Sequence, residues 1–372
     1  MTVSDSASMG RRIAEARSRA GLTQADLASA ISLDRSVLAK IENGGRRVSA
    51  LELARIANTL GERIEWFVME TPPAIVSHRN LEEPGAESPT IDRTVERVTW
   101  NVEFTSQRDE RWNTPSVQTL SRPRNAEEAE ASSTIARGLL GLNSIAPLVD
   151  IAGHFSNLGL LVFAFDLGRD AADAASVLLE RGGVAVVNGH LHVGRRRLAA
   201  AHELGHFLFA DEYSVDWRVS DWEDDNAWES RLDRFARALL LPAVGLRQMW
   251  DDSQARGDDL RARCVKIGSI FRVDMSTLAR RLIELGLIAQ SGGRQVRSIR
   301  TTRADIVELN LVVPDELAPP CLPRSYEESV LRIYRHEMIS PARATDLLFD
   351  TWNEEDLPVL PSLPESAIWN LV

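Results

Sequence analysis

Lysine is nearly missing from this sequence: Lys40 and Lys266 are the only two in 372 residues, so arginine supplies almost all the positive charge. Cysteine is as scarce. Cys264 and Cys321 alone are too few for a disulfide framework or a thiolate-only metal site, so any metal must lean on histidine and carboxylate. No run approaches the roughly eighteen apolar residues of a membrane helix, and the polar stretch Met1–Gly10 lacks the apolar core of a signal peptide. The expectation is a cytoplasmic chain with no membrane partner. Positive charge is not in excess either. A net charge of −11 excludes a surface that sheathes nucleic acid throughout and leaves any DNA contact to a local patch.

What is present is an ordinary folding composition, 44% hydrophobic and 26% charged, over a length that suits two or three domains. From Met9 to about Phe67 the apolar residues recur at helical spacing in five short runs, Ile13–Ala20, Gln24–Ile31, Ser36–Glu42, Ala50–Leu60 and Ile64–Phe67. Thr23 precedes Gln24-Ala25-Asp26 as an N-cap, and Gly44-Gly45 closes the third run. The breaks fall where a helix-turn-helix needs them. Residues 70–125, rich in Pro, Glu, Ser, Thr and Arg, read as a linker with one strand at Val98–Phe104.

Beyond the linker, helices are expected over Ala126–Leu140 and Leu148–Leu158, and strands over Leu160–Phe165 and Gly183–Val187, with His190 and His192 continuing the second strand. A long helix follows from Arg195 to Phe209, then an acidic loop, then a helix from Trp228 to Leu241 stopped by Pro242. Ala262–Ile288 gives two short helices, Ile306–Val313 a strand, and Ser325–Phe349 a small helical tail. The pattern is mainly α with a small β-sheet, an α+β class. It divides into 1–69, the linker 70–125, a core at 126–242, a helical subdomain at 243–300 and a C-terminal region at 301–372.

The chemistry concentrates in His202-Glu203-Leu204-Gly205-His206. Residues four apart on a helix share a face, so both imidazoles can reach one ion while Glu203 projects beside it toward a water. That spacing suits metal-assisted peptide hydrolysis, with zinc polarising the carbonyl and Glu203 moving the proton. Downstream, Glu229 and Asp233 sit one helical turn apart; Glu229 would complete a His-His-Glu zinc site and Asp233 would hold a ligand imidazole. Solvated acids on a helix face are the plainer reading of that pair. His190 and His192 would line the cleft or stand by. His78, His154 and His336 read as surface or packing residues, and Tyr213 is a weak candidate donor to the developing oxyanion.

Together, Val186-Val187-Asn188, Arg195-Arg196-Arg197 leading into His202–His206, and Glu229 through Pro242 resemble the ImmA/IrrE family of zinc metallopeptidases over about Ala126–Ile288. The resemblance implies a minimal zincin-like core, zinc on His202, His206 and Glu229, Glu203 as catalytic acid/base, and a helical, helix-turn-helix-like subdomain behind the core. Asp233 stands where many members have asparagine. It also implies a substrate class, a repressor or antitoxin of the XRE type. Two other readings stay open: a transcription factor whose zincin-like domain is a sensor or dimerisation module, which an intact Glu203 disfavours, and an antitoxin-like binding partner.

Residues 9–67 resemble the XRE, or Cro-type, helix-turn-helix. Leu22–Ala28 forms the first motif helix and Ser36–Gly44 the second, which in such folds enters the major groove. Arg35, Ser36, Ala39 and Lys40 would face the bases, and Thr23, Gln24, Arg46 and Arg47 the phosphates. Ten Arg/Lys stand against nine Asp/Glu over residues 1–70. Affinity as a monomer should therefore be modest, which keeps a homodimer open.

Overall fold

The computed structural model describes residues 6–60, 62, 64–68, 77–79, 89–112, 119–210, 222–311 and 315–360. The chain divides into two units, Met1–Ala74 and Ile75–Val372. It is mainly α-helical with one small sheet, and among the described residues no helix is long and apolar enough to cross a membrane.

The first unit is built from α1 (Ser6–Arg19), α2 (Gln24–Ala30), α3 (Arg35–Glu42), α4 (Ala50–Leu60) and α5 (Ile64–Val68). Its core joins Ile13, Leu27, Ile31, Leu38, Ile41, Ile56 and Phe67, all nearly inaccessible. Thr23 and Asp26 form a reciprocal capping box that starts α2. Buried Glu42, at the end of α3, accepts from Arg17 Nε at 2.6 Å and from Gln24 Nε2 at 2.7 Å, tying α1, α2 and α3 together.

The second unit begins with β1 (Ser77–Arg79) and α6 (Pro89–Ser106), then α7 (Ala126–Leu139), α8 (Ile151–Leu158), β2 (Leu160–Phe165), β3 (Ala174–Leu178) and β4 (Gly183–Asn188). The sheet order is β1-β3-β4-β2, with β2 and β4 parallel and the other pairs antiparallel. On it lies α9 (Val193–Leu208), and against α9 packs α10 (Trp222–Leu240). The helical layer continues with α11 (Ala243–Ala255), α12 (Leu260–Phe271), α13 (Met275–Glu284) and α14 (Gln290–Ser298). It ends with α15 (Arg303–Glu308), α16 (Arg324–Arg335) and α17 (Pro341–Leu347).

One expected strand is a helix, and a second starts as one. Val98–Phe104 lies inside α6, where Ile91, Val95, Val98 and Val102 are all buried at the four-three-four spacing of a helix face. Val and Thr favour strands only as a weak prior. The stretch expected as linker thus carries an 18-residue helix packed on β3, β4 and α16. The expected strand at Ile306–Val313 begins instead in α15, which Thr302 and Asp305 start with a reciprocal capping box; residues 312–314 lie outside the described ones. The strand β4 ends at Asn188. His190 sits in the following turn, and His192 caps α9.

From Arg196 to Leu208 every residue of α9 is buried. A helix enclosed on all sides must pair its charges: Arg197 bonds Glu316 and the Leu148 carbonyl at 2.6 Å, and Arg196 bonds Asp315 and the Gly189 carbonyl. Gly205 allows α10 to come close, since a Cβ there would stand 2.8 Å from Leu232 Cδ2 and 3.2 Å from Phe235 Cδ1. Leu232 and Phe235 are fully buried against it.

Candidate functional site

One turn of α9 and Glu229 of α10 bring three donors together. The imidazoles of His202 and His206 face each other with Nε2 atoms 3.2 Å apart. Glu229 Oε2 lies 3.0 Å from His202 Nε2, and Oε1 lies 3.7 Å from His206 Nε2. Donor atoms of the three residues all fall within 4.8 Å of one another, which makes this the metal-competent cluster among the described residues. Metal–ligand bonds of about 2.0 Å in a tetrahedral set place donors roughly 3.3 Å apart, so these separations fit one zinc-sized ion. The histidines are buried and Glu229 is partly exposed, which leaves one side open. Burial draws the Glu229 carboxyl upward, but the His202 hydrogen bond and the two imidazole charges outweigh it and hold the carboxyl below its ordinary range.

His202 is oriented from behind. Its Nδ1 lies 3.1 Å from Asp233 Oδ1, one turn along α10 from Glu229, which leaves Nε2 for the ion. Asp233 is itself held by Arg237 at 3.4 Å, and Arg237 Nε donates to Glu284 of α13 at 2.9 Å. Asp233, one turn after Glu229, is thus part of a chain of charges running into α13. Arg237 lies four residues past Asp233 on α10, a pairing readable from spacing; Glu284 carries no such signal.

Glu203, next to His202 on α9, is fully buried. Its Oε2 accepts from the Ser176 hydroxyl at 2.5 Å, while Oε1 has no hydrogen-bond partner among the described residues. A buried carboxylate oxygen left without a donor costs free energy unless something polar arrives. A water activated at the adjacent cluster is what would satisfy it, so the residues present fit a hydrolytic zinc ion. Sequence reasoning missed Ser176 because its strand, Ala-Ala-Ser-Val-Leu, lacks the bulky residues that mark a strand.

The remaining candidates fall elsewhere. His190 pairs with Asp166 at 3.2 Å on an exposed turn, His336 is an exposed C-cap of α16, and Tyr213 lies outside the described residues. In the first unit, Thr23, Arg35, Ser36 and Lys40 are exposed and Ala39 is half-buried, so they share an accessible side of α2 and α3. Gln24 is turned inward to Glu42. Arg46 is spent on Glu52 at 2.9 Å.

A helix-turn-helix family model matches residues 13–67, and a model described as the IrrE N-terminal-like domain matches residues 155–282, from α8 through α13. This order, a helix-turn-helix ahead of an IrrE-like domain, matches the ImmA/IrrE architecture. The two matches support a DNA-binding regulator with an IrrE-like, metallopeptidase-like domain. Three solved structures resemble this chain. The restriction-modification controller protein C.AhdI from Aeromonas hydrophila is 33% identical over 16% of this chain and 92% of its own, with a TM-score of 0.16. A Mycobacterium tuberculosis transcriptional regulator is 18% identical over 50% of this chain and 51% of its own, with a TM-score of 0.32. The apo competence regulator ComR from Streptococcus vestibularis is 13% identical over 93% of this chain and 91% of its own, with a TM-score of 0.17. Comparison with curated proteins gave no match.

Proposed function

We propose that the chain is a zinc-dependent regulatory endopeptidase that cleaves a specific protein, an XRE-type repressor or antitoxin, and that its helix-turn-helix unit brings it to DNA. The observation that carries this reading is the buried Glu203, one oxygen anchored and the other without a partner among the described residues, beside a converged His-His-Glu set. Zinc held by His202, His206 and Glu229 would supply Lewis acidity toward a carbonyl and a water. Glu203 Oε1 takes a proton from that water and delivers it to the departing amine. Ser176 keeps the carboxylate from swinging away, Asp233 fixes the His202 tautomer, and the buried wall of α9 excludes bulk water. Thr23, Arg35, Ser36, Ala39 and Lys40 meet DNA, while Gln24 acts by setting the spacing of α2 and α3.

A structural metal site needs no unpartnered carboxylate, which argues against a sensor without proteolysis. The test compares cells expressing the wild type and Glu203→Gln by mapping new protein N-termini. New ends in one helix-turn-helix repressor or antitoxin, present only with the wild type, support the reading. Identical N-termini in both strains, with zinc bound to both proteins, contradict it.

A further inference from the structure

The sheet edge nearest Glu203 is already occupied. On one side β3 pairs with β4; on its other side it pairs antiparallel with β1, in the register Ser77 to Ser176, His78 to Ala175 and Arg79 to Ala174. Ser176 is the residue whose hydroxyl holds Glu203. Antiparallel partners sit roughly 4.5–5.5 Å apart between Cα atoms, so the β1 backbone runs one strand-width from the residue that anchors the base, and it also packs against α9. An unpaired edge is a template for an extended peptide, bound through its main chain. Here that template is filled by the chain itself.

Two further facts give the occupant a meaning. The boundary between the units falls between Ala74 and Ile75, two residues before β1. The IrrE-like match begins at residue 155, so β1 is an addition to the matched domain. A three-residue strand with a single neighbour is marginal as structure, yet its covalent tether gives it a high effective concentration at this edge. Resting on the peptidase reading above, we infer that Ser77–Arg79 is presented as an intramolecular substrate, and that hydrolysis there separates the helix-turn-helix unit from the metal site. The bond broken is a backbone C–N bond. Water gives its hydroxyl to the acyl carbon, and its proton passes through Glu203 to the new amine. Self-cleavage ends the coupling of DNA binding to peptidase activity.

The test uses the purified full chain with zinc or with chelator, followed by intact-mass measurement. With zinc, a cut is expected at or immediately beside Ser77–Arg79, with a rate constant unchanged over a tenfold dilution and no cut in Glu203→Gln. In an antiparallel pair alternate residues direct their N–H groups at the partner, so Ser77→Pro combined with His78→Pro removes pairing whichever set is bonded. That variant should keep its zinc and cut itself at least tenfold more slowly. A zinc-loaded chain that stays intact, cuts elsewhere, or cuts faster at higher concentration overturns the inference. If that same preparation generates new N-termini in a partner protein, the peptidase reading survives alone; if it does not, both fall.

Discussion

Asp233 and Arg237 matter because neither touches the donor atoms, yet each constrains one. Asp233 accepts from His202 Nδ1, and Arg237 bridges Asp233 to Glu284. Partners of this kind behind a ligand histidine are worth about 10–100-fold in metal affinity. Asp233→Ala should weaken zinc binding by that amount in competition with a chromophoric chelator. Arg237→Ala should give a smaller loss in the same direction, and the double variant less than the product of the two, because Arg237 acts through Asp233. Independent, multiplicative losses would show that the two do not form one chain. His202 and His206 were legible because HExxH fixes them by helical spacing alone, whereas Glu229 came from the acids one turn apart on the following helix and from the family resemblance. Ser176 was not, since its contact with Glu203 joins residues 27 apart through a strand of small residues.

At the scale of elements, the site depends on how closely α10 approaches α9, and Gly205 sets that approach. Gly205→Ala gains about 1 kcal/mol of helix propensity but overpacks Leu232 and Phe235 at about 1–3 kcal/mol. The denaturation midpoint should fall, and zinc affinity with it, as Glu229 rides outward on α10; a more stable variant with unchanged affinity would contradict this. In the first unit, the Arg46 guanidinium and the Ser49 backbone N–H hold Glu52, at the start of α4, down from 4.5 to about 2. A depressed carboxylate contributes stability that is complete above its ordinary value and lost as pH falls through the shifted one. Amide exchange in α4 should therefore accelerate, relative to Glu52→Gln, between pH 4.5 and about 2, and equal exchange in both proteins would remove the role of this cap. The helices with caps and apolar stripes were readable in advance. The helix α6 was misread because Val and Thr outweighed its four-three-four stripe, and β1 because three residues carry no periodicity.

At the scale of the molecule, a helix-turn-helix unit and a metallopeptidase-like unit share one chain, and their residues make separable demands. The exposed face of α3 depends on the core around Leu38 and Ile41, whereas the metal cluster depends on α9, α10 and the charges behind them. Loss of metal should leave DNA binding in place. The most direct measurement is metal analysis of the purified wild type beside His202→Ala and Glu229→Ala. About one zinc per wild-type chain is expected, lost in both variants while each stays folded and binds DNA as before. A folded wild type that takes up no zinc, or variants that keep it, would contradict the His-His-Glu centre on which the proposed function stands.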